Sequence, residues 1–142
     1  MERSFMKKLS MIYLSAISIA LFGCVKGPVA ELEEKGLKPL TSEQRLETFC
    51  NGSFEIGYDW GKASMEMKDC NYVWTNLGNG NVYEGTIIES PENEACQTSN
   101  KAKGVEVNPP KKTCNKQITF KTGESEWKTF KEGKQIEVVV KK

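Results

Sequence analysis

The sequence predicts an all-β fold: a small antiparallel β-barrel or sandwich of about seven strands, with one short N-terminal helix and two disulfides. Three observations carry this. Apolar and polar residues alternate with period two through most of the chain after Cys50, the pattern of strands with one covered face. Turn-forming pairs at Asn79-Gly80, Gly123-Glu124 and Glu132-Gly133 divide that pattern into short segments. Cys50, Cys70, Cys96 and Cys114 are spread through a segment whose core is small enough to need cross-links.

The first element of the domain is helical. Thr41-Ser42-Glu43-Gln44 has a capping residue followed three places later by Gln, and Glu43 falls in the first turn, where the helix dipole favours an acid. A helix is expected from Ser42 to Phe49, with Leu46 and Phe49 on its buried side. The period then changes: Phe54, Ile56, Tyr58 and Trp60 alternate with Ser53, Glu55, Gly57 and Asp59. A turn at Trp60-Gly61 sets Tyr58 against Ala63, Ile56 against Met65 and Phe54 against Met67. The phase flips before Cys70, Tyr72 and Trp74, which reads as a bulge around Lys68-Asp69. Folding at Asn79-Gly80 places Tyr72 opposite Ile87 and Trp74 opposite Gly85.

Residues 89–115 are dense in Pro, Asn, Ser and Lys and read as a long excursion, with a short strand at Gly104–Val107 and Cys96 and Cys114 stapling its ends. Long loops often carry function, so this region is a candidate binding surface. The last segment reads as a three-stranded meander. Its turns align Ile118 with Thr129 and Ile136, Phe120 with Trp127 and Val138, and Thr122 with Ser125 and Val140, giving a covered inner face and a Lys-rich outer one.

The N-terminus carries different information. Arg3, Lys7 and Lys8 precede an apolar run from Met11 through Phe22, and Lys26, Gly27 and Pro28 end it. That run falls short of the roughly 20 residues a membrane-crossing helix needs, so residues 1–23 read as an export signal. Leu21-Phe22-Gly23-Cys24 resembles the lipobox of bacterial lipoproteins. The resemblance covers the first 24 residues and implies cleavage before Cys24, with lipid attached to its thiol. Val25 stands where an Asp would hold such a protein at the inner membrane, which implies the outer membrane. Two or three acyl chains give a stable anchor where one is marginal. The chain then divides into a lipoprotein signal peptide at 1–23, a lipid-anchored linker at 24–40 and a β-rich periplasmic domain at 41–142. The expected location is the outer membrane, with the domain facing the periplasm or the cell surface.

With Cys24 assigned to lipid, four cysteines remain, an even count that reads as disulfides in an oxidising compartment. Three pairings are open; Cys50–Cys70 and Cys96–Cys114 are favoured because each joins sequence neighbours. The chain has no histidine and no C-x-x-C pair, so neither zinc nor any other metal or cofactor is expected. Lack of histidine also removes Ser-His and Cys-His nucleophiles. Glu55, Asp59, Glu66 and Asp69 read as solvated strand charges rather than a catalytic carboxylate pair, and no enzyme is expected.

Residues 24–100 carry six Lys and Arg against thirteen Asp and Glu, whereas residues 101–142 carry eleven Lys against five Glu. The near balance gives no preference for nucleic acid. Trp60, placed near solvent, and Lys111, Lys112 and Lys116 form the candidate surface for an envelope protein or anionic polymer. A blander reading has the acidic and basic portions screening one another, with the strand lysines serving solubility. The expected function is that of a lipid-anchored cell-envelope protein with a non-catalytic binding or structural β-domain. One alternative is a lipocalin-like carrier of a small apolar ligand, provided that Met65 and Met67 do not fill the interior. Another is inhibition of a cell-wall hydrolase such as lysozyme, since the layout resembles that of lipoprotein-type periplasmic lysozyme inhibitors.

Overall fold

A computed structural model describes residues 27–142; the signal segment and Cys24 lie outside the described residues. Helix α1 (Pro28–Glu34) and helix α2 (Ser42–Phe49) precede nine strands. These are β1 (Gly52–Tyr58), β2 (Gly61–Lys68), β3 (Asn71–Asn76), β4 (Val82–Ile88), β5 (Ala95–Ala102), β6 (Val105–Asn115), β7 (Ile118–Gly123), β8 (Glu126–Lys131) and β9 (Lys134–Lys141). All pairs are antiparallel, in the order β6-β5-β4-β3-β2-β1-β9-β8-β7.

Strands β6 and β7 occupy opposite edges of this sheet, yet only Lys116 and Gln117 separate them in the chain. Three Cα–Cα steps span at most about 11 Å. The sheet must therefore curl until its two edges come together at that link. No ladder joins them, so the result is one open, curled sheet rather than the closed barrel or sandwich expected, with nine strands rather than about seven. The added strands come from residues 89–115, most of which form the β5–β6 hairpin instead of a loop. Period-two reasoning missed it because both strands carry mostly polar side chains, and β6 is exposed along nearly its whole length. Its outer edge holds Pro109, Pro110, Lys111 and Lys112, residues that discourage pairing with another strand.

Helix α2 has the predicted bounds and the predicted capping box. Thr41 Oγ1 accepts from the Gln44 amide at 3.1 Å, and Gln44 Oε1 accepts from the Thr41 amide at 2.9 Å. Phe49 packs edge-on against Phe54 at 5.4 Å and Trp127 at 5.2 Å, which seats the helix on the concave core of Phe54, Ile56, Met67, Tyr72, Trp127 and Val139. The Leu40 amide donates to the Thr119 carbonyl on edge strand β7, at 2.8 Å. Arg45 donates to the Glu94 carbonyl and Asn93 Oδ1, just before β5. The segment of α2 thus ties the two halves of the curled sheet together near its open seam. Residues 24–40 read as a linker, but they include α1, whose start is set by Pro28 at its first position.

Both favoured disulfides are present: Cys50–Cys70 joins the end of α2 to the β2–β3 turn, and Cys96–Cys114 links directly opposed residues of β5 and β6. The expected bulge at Lys68-Asp69 is instead a turn at Asp69-Cys70. Both residues have positive φ (52° and 68°), as a type I′ turn demands. The β1–β2 turn falls at Asp59-Trp60, one residue earlier than expected, so Ile56 faces Ala63 and Phe54 faces Met65. That shift moves the pairing by two residues and leaves the same side chains inside. Similarly, the β3–β4 connection is longer than a two-residue turn, with the Asn76 carboxamide oxygen accepting from the amides of Gly78 and Asn79, and Tyr72 rather than Trp74 lies opposite Gly85.

The C-terminal meander departs further. Ile118 pairs with Phe130 and Thr119 with Thr129, a slip of one residue from the expected row. In β9 the register shifts between Gln135 and Glu137, so Glu137 rather than Ile136 opposes Thr129. A one-residue slip exchanges faces. Val139 is buried while Val140 is 40% exposed, and Phe120 and Phe130, fully buried, meet at 5.9 Å on the convex side.

Candidate functional site

The curled sheet encloses a cavity of about 750 Å³ on its concave face, open to solvent and reached by strands from both halves and by α2. Its existence follows from what points inward. Met67 is buried in the core, but Met65 only lines the cavity wall, so the two methionines do not fill the interior. Cavities of 300–1,000 Å³ with apolar walls and a few polar groups are the usual form of a small-molecule site.

One wall is aromatic. Tyr58 stacks on Trp60 at 4.7 Å with planes 8° apart, and Trp74 meets both edge-on, at 6.1 and 6.2 Å. Tyr83 extends the row from Trp74 at 5.4 Å. The side chains come from the ends of β1 and β3, from β4, and from the β1–β2 turn, so the up-and-down order of the strands brings them together. Trp74 Nε1 donates to the Tyr58 hydroxyl at 3.0 Å and fixes the two rings. Burial, then the charge of Glu137, push the Tyr58 phenol upward against a smaller opposing effect of that hydrogen bond; the hydroxyl keeps its proton at neutral pH. Trp60 is 56% exposed, at the rim, as the sequence predicts.

Opposite Tyr58 stands Glu137, the one carboxyl among the described residues that lines the cavity. Continuing the β9–β1 register from Val139↔Ile56 and Val138↔Gly57 places Glu137 across from Tyr58, with Cβ atoms about 5 Å apart. Glu137 keeps surface that water can reach, but that surface faces the cavity and protein surrounds the rest. Burial pushes its carboxyl up to about 7, against a hydrogen bond from the Thr129 hydroxyl that favours the charged form. Thr129 in turn shares a buried hydroxyl–hydroxyl bond with Thr119, at 2.9 Å. Among the described residues no cation pairs with Glu137.

Close backbone packing shapes another wall. Tyr72 passes over Gly85 to donate from its hydroxyl to the Thr98 carbonyl on β5, at 3.2 Å. A Cβ on Gly85 would overlap that carbonyl oxygen and come within 2.6 Å of Tyr72 Oη. Two cations also touch the cavity. Arg45 spends its guanidinium on Leu40 O, Ser42 Oγ, Asn93 Oδ1 and Glu94 O, and its burial lowers its pKa. Lys103 is exposed, in the β5–β6 turn.

Of the residues singled out from the sequence, Trp60 joins the cavity rim. Lys111 and Lys112 are exposed on edge strand β6 and Lys116 is exposed in the β6–β7 link; none of the three lines the cavity. The strand carboxylates are outside as expected: Glu55 pairs with Lys62 at 3.6 Å and Glu66 accepts a short hydrogen bond from Ser53 Oγ. Glu94 lies beside Cys96 and Cys114, but those sulfurs form a disulfide and offer no thiolate to a metal. Sequence reasoning missed Glu137. The signal was a lone acid among Ile136, Val138, Val139 and Val140; alternation makes Ile136, Val138 and Val140 the apolar face, and nothing in the sequence turns Glu137 and Val139 inward instead.

No helix among the described residues is long and apolar enough to cross a membrane. Comparison with protein-family models, curated proteins and solved structures finds no match to this chain.

Proposed function

We propose that this chain is a lipid-anchored cell-envelope protein, held at the outer membrane through Cys24, whose β-domain binds a small, largely apolar molecule without acting on it chemically. The observation that carries the reading is the cavity of about 750 Å³ with its wall of Tyr58, Trp60, Trp74 and Tyr83. Such a wall supplies large, rigid contact area at small entropic cost. It favours the carrier-like reading over a lysine surface for an anionic polymer, since Lys111 and Lys112 line neither this cavity nor a second concavity, which Lys116 shares with Glu92, Glu94 and Glu132.

The address is tested by the intact mass of protein extracted from membranes, which should begin at Cys24 and carry acyl chains. Ligand binding is tested on the processed protein in lipid nanodiscs by titrating 4-phenylbutanol against tryptophan emission, with empty nanodiscs as the blank. Saturable quenching is expected. It should disappear when Ile87→Trp fills the cavity and persist when Lys111, Lys112 and Lys116 are changed to Glu. Quenching lost in the lysine variant but kept in Ile87→Trp would move the site to the basic edge and end the cavity reading.

A further inference from the structure

Resting on that reading of the cavity, we infer that its ligand carries a positive charge, an organic amine or quaternary ammonium group held between Glu137 and the aromatic wall of Tyr58, Trp60 and Trp74. The bulge in β9 is the structural device. Between Gln135 and Glu137 the strand gains one residue against β8, which turns Glu137 from the convex side into the cavity. Without that extra residue Ile136 would oppose Thr129, and β9 would present an aliphatic side chain to the interior at this point.

A carboxyl in such a place is costly unless something offsets it. Within the protein the offset is partial. Thr129 supplies a hydroxyl hydrogen bond, Thr119 orients Thr129, and Tyr58 brings a protonated phenol from β1. None of these is a cation. Arg45 on α2 is committed to two carbonyls and two side-chain oxygens, and Lys103 sits exposed in a hairpin turn. The charges facing the cavity therefore leave an acid without an opposite charge beside an aromatic surface. A cation resting on that surface gains from the electron-rich ring faces and from the carboxylate together, and both gains grow as water is excluded. An anionic ligand finds only Lys103, exposed in its hairpin turn, because the Arg45 guanidinium is already bonded to backbone carbonyls and side-chain oxygens.

The test compares three ligands of matched shape on the processed protein in nanodiscs: 4-phenylbutyltrimethylammonium, 4-phenylbutanol and 4-phenylbutyrate. The cation should bind at least about tenfold more tightly than the alcohol, and the carboxylate most weakly. The quaternary ammonium keeps its charge at every pH, so a preference that grows from pH 5.5 to 8.5 reports the protein's acid. In Glu137→Gln the preference for the cation over the alcohol should vanish and its pH dependence with it, and a cooperative urea-unfolding transition shows that the variant is folded. If all three ligands bind alike, or the carboxylate binds best, the inference of a cationic ligand fails and the cavity reading stands. If none binds, the cavity reading itself fails.

Discussion

Replacing Glu137 with Gln should change how the stability of this protein depends on pH, even with no ligand present. In the folded chain the carboxyl is pushed up to about 7 from an ordinary 4.5, chiefly by burial. The folded state therefore holds this proton more tightly than the unfolded chain does. Stability from the neutral form is fully present below pH 4.5 and is lost progressively as pH rises through the window to about 7. At 1.36 kcal/mol per pH unit, the displacement from 4.5 to 7 amounts to about 3 kcal/mol. A Gln at this position stays neutral throughout. Urea unfolding of both proteins at intervals from pH 4 to pH 8.5 isolates the effect, because every other titrating group is common to the pair. The difference in stability should be nearly constant below pH 4.5 and shift by about 3 kcal/mol in favour of the variant by pH 8. A difference that stays flat across this range would mean that Glu137 titrates normally, in contact with bulk water, and that the β9 bulge does not enclose it.

Three further outcomes follow from the packing. Gly85→Ala places a methyl group against the Thr98 carbonyl and Tyr72 Oη, neither of which is a flexible chain end free to yield. Denaturant unfolding should show a loss of about 3 kcal/mol or more, or no folded protein at all. Replacing Cys50 and Cys70 together by Ala opens a cross-link between residues 20 apart, for which loop-closure entropy gives about 3 kcal/mol; thermal unfolding under non-reducing conditions measures it. Thr41→Ala removes the capping hydroxyl of α2 and should cost about 1 kcal/mol, read from the same unfolding curves. Because α2 contributes Leu46 and Phe49 to the cavity lining, ligand affinity should weaken with it.

Some elements were legible because their signals are local. The bounds of α2 follow from Thr41 and Gln44, two residues whose side chains satisfy each other's backbone amides. The inward faces of β1 and β2 survived a displaced turn because moving a two-residue turn by one position changes the pairing by two, an even number. The disulfides paired between sequence neighbours because hairpins bring neighbours together.

Other features depend on what lies across the sheet. Cys70 adopts a positive φ in a turn that its residue type does not announce, where the bond to Cys50 and backbone hydrogen bonds on both sides hold it. Strands β5 and β6 lack an apolar face, so only their pairing with β4 and with each other reveals them. The sequence by itself determined the strand-rich class, the capped helix and the cross-links, since each is written in residues near one another along the chain. Only the tertiary structure decided that the sheet stays open, that it encloses a cavity, and that Glu137 faces into it. A two-residue link between opposite edges and one extra residue in β9 settle these points, and the face an odd shift selects is fixed by partners far away in sequence.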